Sequence, residues 1–199
     1  MCLLLETICI SHGHPLNLDY HRRRMKNSSL SLFPGYHPPD LKELLSKLNP
    51  QSLKGTYRWR IVYGPDQLLT ELLPYNYKPI RYLKLIEANI DYPHKFANRT
   101  SLDSLHNQRG QADDVLLVKD GRITDTTIAN IIFIRGGRFY TPARPLLRGT
   151  ALCRLLNEGK VTPLEISPDD IGQFEAFWLI NALRVAFPFD PSPIEGIIK

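Results

Sequence analysis

Cysteine is scarce in this chain: Cys2, Cys9 and Cys153 are the only three among 199 residues, and they form neither a CxxC pair nor an even framework. That usage excludes a disulfide-stapled scaffold and a structural zinc site, and it predicts a reducing compartment, with the cytoplasm as the default. Long apolar runs are missing too. Glu6 interrupts the apolar residues 2–5, so the start of the chain offers neither a signal-peptide core nor the ~20 apolar residues of a membrane helix. The six histidines show no metal-ligand spacing, and no metal is expected. Internal repeats and low-complexity tracts are absent, which excludes solenoid and disordered architectures.

What is present is a composition of 43% hydrophobic and 23% charged residues, typical of a globular chain able to bury a core as one unit or two small lobes. A formal charge of +5 and a pI near 9.1 admit either a nucleic-acid partner or a small anionic ligand, and only the positions of the charges can decide. The densest basic run, His21 to Arg24 followed by Lys26, lies in a segment with helical spacing and has no interleaved aromatics. It reads mainly as a solvated helix face, and no nucleic-acid partner is expected.

Residues 3–10 are apolar and β-branched and end at the His12, Gly13, His14, Pro15 turn, which predicts a first strand. Asn17 or Asp19 then caps a helix through about Leu32, with Leu18, Met25 and Leu32 on its apolar side, and a second helix is predicted over residues 40–48. Residues 56–62 and 68–73, separated by Gly64, Pro65 and Asp66, form a hairpin, and residues 81–90 a further strand. The connector Asp91, Tyr92, Pro93, His94 is the expected lobe boundary, giving a smaller α/β lobe over residues 1–90 and a larger one over 91–199. Beyond it come a helix over 98–107, antiparallel strands at 115–118, 128–134 and 138–140, a helix over 150–156, and strands at 161–166 and 174–180. Strands and helices mix without strict alternation, which favours an α+β protein of two lobes.

Few positions carry chemistry on their own. A lysine such as Lys95 is usually a solvated charge, and becomes a nucleophilic amine only when desolvated or flanked by cations, as His94 and Arg99 could flank it. The segment Leu147, Arg148, Gly149, Thr150, Ala151 opens a helix whose first N–H groups and dipole suit a phosphate, or it is simply a glycine turn and cap. Asp113 and Asp114 precede a strand and read as turn residues or a helix-end feature.

Taken together, five segments resemble the class IV aminotransferase family through almost the whole chain. They are Leu5, Glu6, Thr7, Ile8 with His21, Arg24 and Met25; Lys95, Phe96, Ala97, Asn98, Arg99; the stretch from Gly121 to Phe133 containing Asp125 and Asn130; Tyr140, Thr141, Pro142 with Gly149, Thr150, Ala151; and Asn181, Ala182, Leu183. The resemblance implies a D-amino acid aminotransferase-like, fold-type IV enzyme using pyridoxal 5'-phosphate, shortened at its amino end by a pair of strands, and by analogy a homodimer. It makes Lys95 the catalytic, cofactor-bearing lysine and Arg24 a phosphate ligand, with Gly149, Thr150, Ala151 and Asn181 as further phosphate contacts. Asp125, with Asn130 on the same strand pair, stands where the family carries a glutamate facing the cofactor's ring nitrogen. The Lys95–Asn98–Arg99 spacing and the Asn-Ala-Leu segment are similar to the lyase branch, implying 4-amino-4-deoxychorismate lyase activity that forms p-aminobenzoate and pyruvate. An amino acid aminotransferase of branched-chain or D-amino acid type is the alternative, as is a non-catalytic cofactor-binding homologue. Arg60 and Arg99 are candidates for holding substrate carboxylates through forked hydrogen bonds.

Overall fold

The computed structural model describes residues 2–198. It divides into two compact units, neither continuous in sequence: Met1–Tyr77 with His94–Asn98 and Ala182–Ala186, and Lys78–Pro93 with Arg99–Asn181 and Phe187–Lys199. A single cut near residue 91 would put Lys95 in the second unit. Its segment lies instead along the first, where Leu5 N–H donates to the Lys95 carbonyl at 2.8 Å and Ala97 N–H to the Leu3 carbonyl at 2.8 Å.

The first unit is a four-stranded antiparallel sheet with a helix on one face. Its elements are β1 (Leu4–Ser11), the short β2 (His14–Pro15), α1 (Leu18–Leu32), α2 (Leu41–Ser46), β3 (Thr56–Gly64) and β4 (Gln67–Pro74), in sheet order β2-β1-β3-β4. Strand alternation sends Leu4, Ile8 and Ile10 of β1 and Trp59, Ile61 and Tyr63 of β3 to one face, where they bury against Met25 of α1 and Leu41 of α2. Asn17 stands at the start of α1 in a left-handed conformation and makes no side-chain cap, whereas Asp40 caps α2 by accepting from Lys42 N–H at 2.7 Å.

The second unit contains β5 (Leu83–Glu87), α3 (Thr100–His106), β6 (Asp114–Lys119), β7 (Arg122–Thr126), β8 (Asn130–Arg135), β9 (Arg138–Pro142), α4 (Thr150–Asn157), β10 (Thr162–Leu164), β11 (Ala176–Ile180), β12 (Ser192–Pro193) and β13 (Ile197–Ile198). They build one sheet in the order β10-β9-β8-β7-β6-β5-β13, with β11 joined to β8 and β12 to β11. The meander is not wholly antiparallel, because β5 pairs with β6, β13 with β5, and β10 with β9 in parallel. The β6–β7 and β8–β9 hairpins turn on Asp120–Gly121 and Gly136–Gly137, all four at positive φ, as the tight turns matching strand twist require. The expected strand over 81–90 shortens to β5 because Arg81 and Tyr82 N–H both bond to Asp113 Oδ2, outside any ladder.

The sheet of the second unit narrows at one junction. β7 and β8 share a single register pair, Asp125 opposite Asn130, after which β8 runs on between β9 and β11. The sheet is therefore joined at a polar pair, buried beside the core of Leu116, Ile123, Ile131, Phe133, Phe177 and Leu179.

Candidate active site

In the first unit the candidate residues gather around Glu6. The β1 alternation that buries Leu4 and Ile8 also turns Glu6 inward, leaving it 1% exposed. α1 supplies its partners from adjacent turns: His21 Nδ1 lies 2.5 Å from Oε2, while Arg24 donates from Nε to Oε1 at 2.8 Å and from Nη2 to Oε2 at 2.6 Å. Burial alone would raise the Glu6 pKa, but the charge and forked hydrogen bonds of Arg24, with His21 adding to them, hold it at about 2. For His21 burial wins over the attraction of Glu6 and lowers the pKa, with Arg24 and Lys95 pushing the same way. Burial thus favours the neutral form of His21 in its hydrogen bond with Glu6, while Arg24–Glu6 is the ion pair. This corrects the sequence expectation of a solvated basic run: Arg22, Arg23 and Lys26 face solvent, but His21 is fully buried and Arg24 partly so.

Lys95 is half-buried and its charge is felt at His21, so the lysine stands close to this cluster. Of the two cations expected to flank it, His94 bonds through Nδ1 to Ser28 Oγ at 3.2 Å. Arg99 belongs to the second unit, where it starts α3, donates from Nη2 to the Thr127 carbonyl at 3.0 Å and lies 3.6 Å from Asp103. Arg60 sits half-buried in β3, opposite Thr7 and Glu71, and it is Arg58 that lies 4.0 Å from the Glu71 carboxylate.

In the second unit Asp125 is 5% exposed; Oδ1 accepts from Asn130 Nδ2 at 2.6 Å and Oδ2 from Leu147 N–H at 2.9 Å. Asn130 Nδ2 also donates to the Leu147 carbonyl at 2.8 Å, so the two side chains grip both ends of one residue's backbone. Burial pushes the Asp125 carboxyl up to about 7, and the donors at Leu147, Asn130 and Leu146 only partly offset it, because none carries charge. Two residues beyond the grip, Gly149 begins α4 without a side-chain cap, and a Cβ at this position would overlap Asn130 Oδ1. Thr150 and Ala151 follow, both buried. Asn181 ends the neighbouring β11 and donates to the Ile128 carbonyl at 3.1 Å, holding the β7–β8 turn. The expectation that Asp114 is a turn residue is also corrected. It lies in β6, 1% exposed, and accepts from Thr127 Oγ1 at 2.7 Å, with His106 Nδ1 3.0 Å away.

Residues 3–190 match the family of class IV amino-transferases. The chain belongs to that family. The chain superposes on the crystal structure of a proposed 4-amino-4-deoxychorismate lyase from Haemophilus somnus with a TM-score of 0.87 and 34% identity, covering 92% of this chain and 97% of that one. A Schizosaccharomyces pombe protein named as a proposed aminodeoxychorismate lyase is 29% identical over 202 residues, 91% of this chain and 86% of its own. The fold is also that of a proposed amino-acid aminotransferase from Mesorhizobium loti, at TM-score 0.83, 24% identity and full coverage of both chains. No helix among the described residues is long and apolar enough to cross a membrane.

Class IV aminotransferases generally use pyridoxal phosphate, and the side chains here fit that group. The first unit holds a half-buried lysine amine and an arginine aimed by a buried carboxylate; the second holds a helix start without a side-chain cap, at a glycine whose Cβ would overlap Asn130 Oδ1, and a buried carboxyl. Sequence reasoning missed Glu6 as a functional residue. Its signal was there to read: an acid in the middle of an apolar β-run must be paired if that run is buried.

Proposed function

We propose that this chain is a pyridoxal-phosphate-dependent 4-amino-4-deoxychorismate lyase, converting its substrate to p-aminobenzoate and pyruvate for folate synthesis. The observation carrying this reading is the lysine segment itself, in which Lys95 is followed by Asn98 and Arg99, the pattern of the lyase branch. Asn181, Ala182 and Leu183 and the relatives named as proposed lyases support it.

In this reading Lys95 would carry the cofactor, and Arg24, the backbone of Gly149, Thr150 and Ala151, and Asn181 are the groups assigned to its phosphate. Glu6 engages Nε and Nη2 of Arg24 and so fixes the plane of the guanidinium. Asp125 is the acid assigned to the ring nitrogen, and Asn130 orients it. When bound, pyridoxal phosphate supplies an electron sink that acidifies the C–H beside the substrate amine. Lys95 Nζ would take that proton and return it to the departing enolpyruvyl group, which leaves as pyruvate while the substrate ring becomes aromatic. Arg60 and Arg99 are assigned to substrate carboxylates, and the active enzyme is a cytoplasmic homodimer.

The test is to load the purified protein with pyridoxal phosphate, add aminodeoxychorismate and follow p-aminobenzoate, with Lys95→Ala alongside. Product from the native chain and none from the variant is the expected result. Conversion of an amino acid to its keto acid without p-aminobenzoate would assign the aminotransferase reaction instead. Bound chromophore with no turnover of any amine would leave a non-catalytic binder.

A further inference from the structure

Asp125 does something in this chain that a ring-facing acid need not do. Its carboxylate and the Asn130 amide hold the N–H and the C=O of Leu147 at 2.9 and 2.8 Å, and they bond to each other at 2.6 Å. The three bonds form a closed loop that leaves Leu147 little freedom to rotate. Leu147 stands two residues before Gly149, where α4 begins with no side-chain cap and where Asn130 Oδ1 occupies the space a Cβ would need. The Asn130 amide therefore touches the segment twice, by its nitrogen at Leu147 and by its oxygen at Gly149. The clamp sits where β7 and β8 make their single register pair, a point anchored to the buried core and not to a mobile loop.

We infer that Asp125, acting through Asn130 and the Leu147 backbone, is a positioning residue for the start of α4 and thereby sets this chain's grip on the phosphate of its cofactor. The inference rests on the proposed use of pyridoxal phosphate and adds to it a second duty for the acid. An aspartate suits that duty, being one methylene shorter than glutamate and so holding its carboxyl close to the strand that carries it. Loop residues aimed by a rigid, fully satisfied polar network lose less entropy when they order around an anion.

A comparison of two ligands separates this role from any effect on the ring. Pyridoxal 5'-phosphate and pyridoxal share aldehyde and ring nitrogen and differ in the phosphate, so effects on lysine capture and ring protonation cancel in the ratio of their affinities. In Asp125→Asn the new amide nitrogen would face the Asn130 nitrogen or the Leu147 N–H, breaking one side of the clamp. In Gly149→Ala the new methyl would push Asn130 away from the other side. Both variants are expected to lower the pyridoxal-phosphate-to-pyridoxal affinity ratio about 10-fold, the effect of losing a hydrogen bond to a charged group. Amide exchange of the 146–149 segment should accelerate in Asp125→Asn by a similar factor. A ratio within twofold of wild type in both variants overturns the inference while leaving the cofactor reading intact. A lowered ratio with unchanged amide exchange overturns it as well, since the loss would then not run through Leu147. A wild-type protein that takes up neither compound overturns the cofactor reading and the inference with it.

Discussion

Two buried carboxylates, one in each unit, respond to burial in opposite ways. Glu6 and Asp125 are 1% and 5% exposed, and for each the largest single influence is desolvation, which favours the neutral acid. Around Glu6 the forked Arg24 guanidinium supplies a full positive charge, and the carboxyl stays ionised with its pKa at about 2. Around Asp125 the donors are backbone N–H groups and a side-chain amide, which carry dipoles only, and the carboxyl rises to about 7. The charge of the surrounding shell, more than depth, decides whether a buried acid is a fixed anion or a group that exchanges its proton near neutrality. The first unit uses the fixed anion to aim a cation. The second keeps a carboxyl in a state that a titratable partner could tip either way.

The sharpest way to break this contrast is to remove the anion. Glu6→Ala leaves the Arg24 guanidinium partly buried without its partner, and is expected to destabilise the protein by about 3 kcal/mol or more in urea unfolding. A loss under about 1 kcal/mol would mean that Arg24 finds solvent easily and that the pair is not an anchor.

The next largest effect is a pair of opposite pH dependences. Asp125 binds its proton more tightly folded than unfolded, so its contribution is fully present below about pH 4 and is lost as pH rises toward 7, roughly 4 kcal/mol in all. Glu6 holds its proton less tightly folded, so its contribution is present above about pH 4 and is lost as pH falls toward 2. Subtracting the stability-against-pH curve of Asp125→Asn from that of wild type should leave a decline between pH 4 and 7. A flat difference would show that Asp125 is ionised in the native state, as Glu6 is.

The smallest effect compares the two arginines proposed for substrate. Arg99→Ala removes the bond to the Thr127 carbonyl and should lower stability by about 1 kcal/mol, whereas Arg60→Ala should change it by less than about 0.5 kcal/mol. If Arg60 serves the substrate, its loss will appear in KM and not in unfolding.

Much of the fold was legible in local pattern. The apolar, β-branched run at residues 3–10, the strand pattern over 56–62 and the Gly-Pro-Asp turn gave strands and a hairpin close to those observed. The misreadings share a cause. His21 and Arg24 looked solvated because they lie in a basic run, and Asp114 read as a turn or helix-end residue because it precedes a strand; each is buried through a partner that local pattern does not name. Arg99 shows the same effect, since the Thr127 carbonyl that holds it lies on a turn 28 residues away. For the candidate site, Lys95, Arg24, Asp125, Gly149 and Asn181 were read from motifs without coordinates. The partner that aims Arg24 and the backbone that Asp125 grips could not.

The sequence by itself determined the family, the strand and turn pattern, and which side chains are candidates for a cofactor site, because these depend on residue type, short-range periodicity and motif spacing. Tertiary structure alone decided which charges are buried, which acid keeps its proton near neutral pH, and that the Leu147 backbone is held at both ends. Those properties depend on desolvation and on hydrogen-bond partners 15 to 22 residues away, as for His21 with Glu6 and Leu147 with Asp125, and no local pattern encodes them.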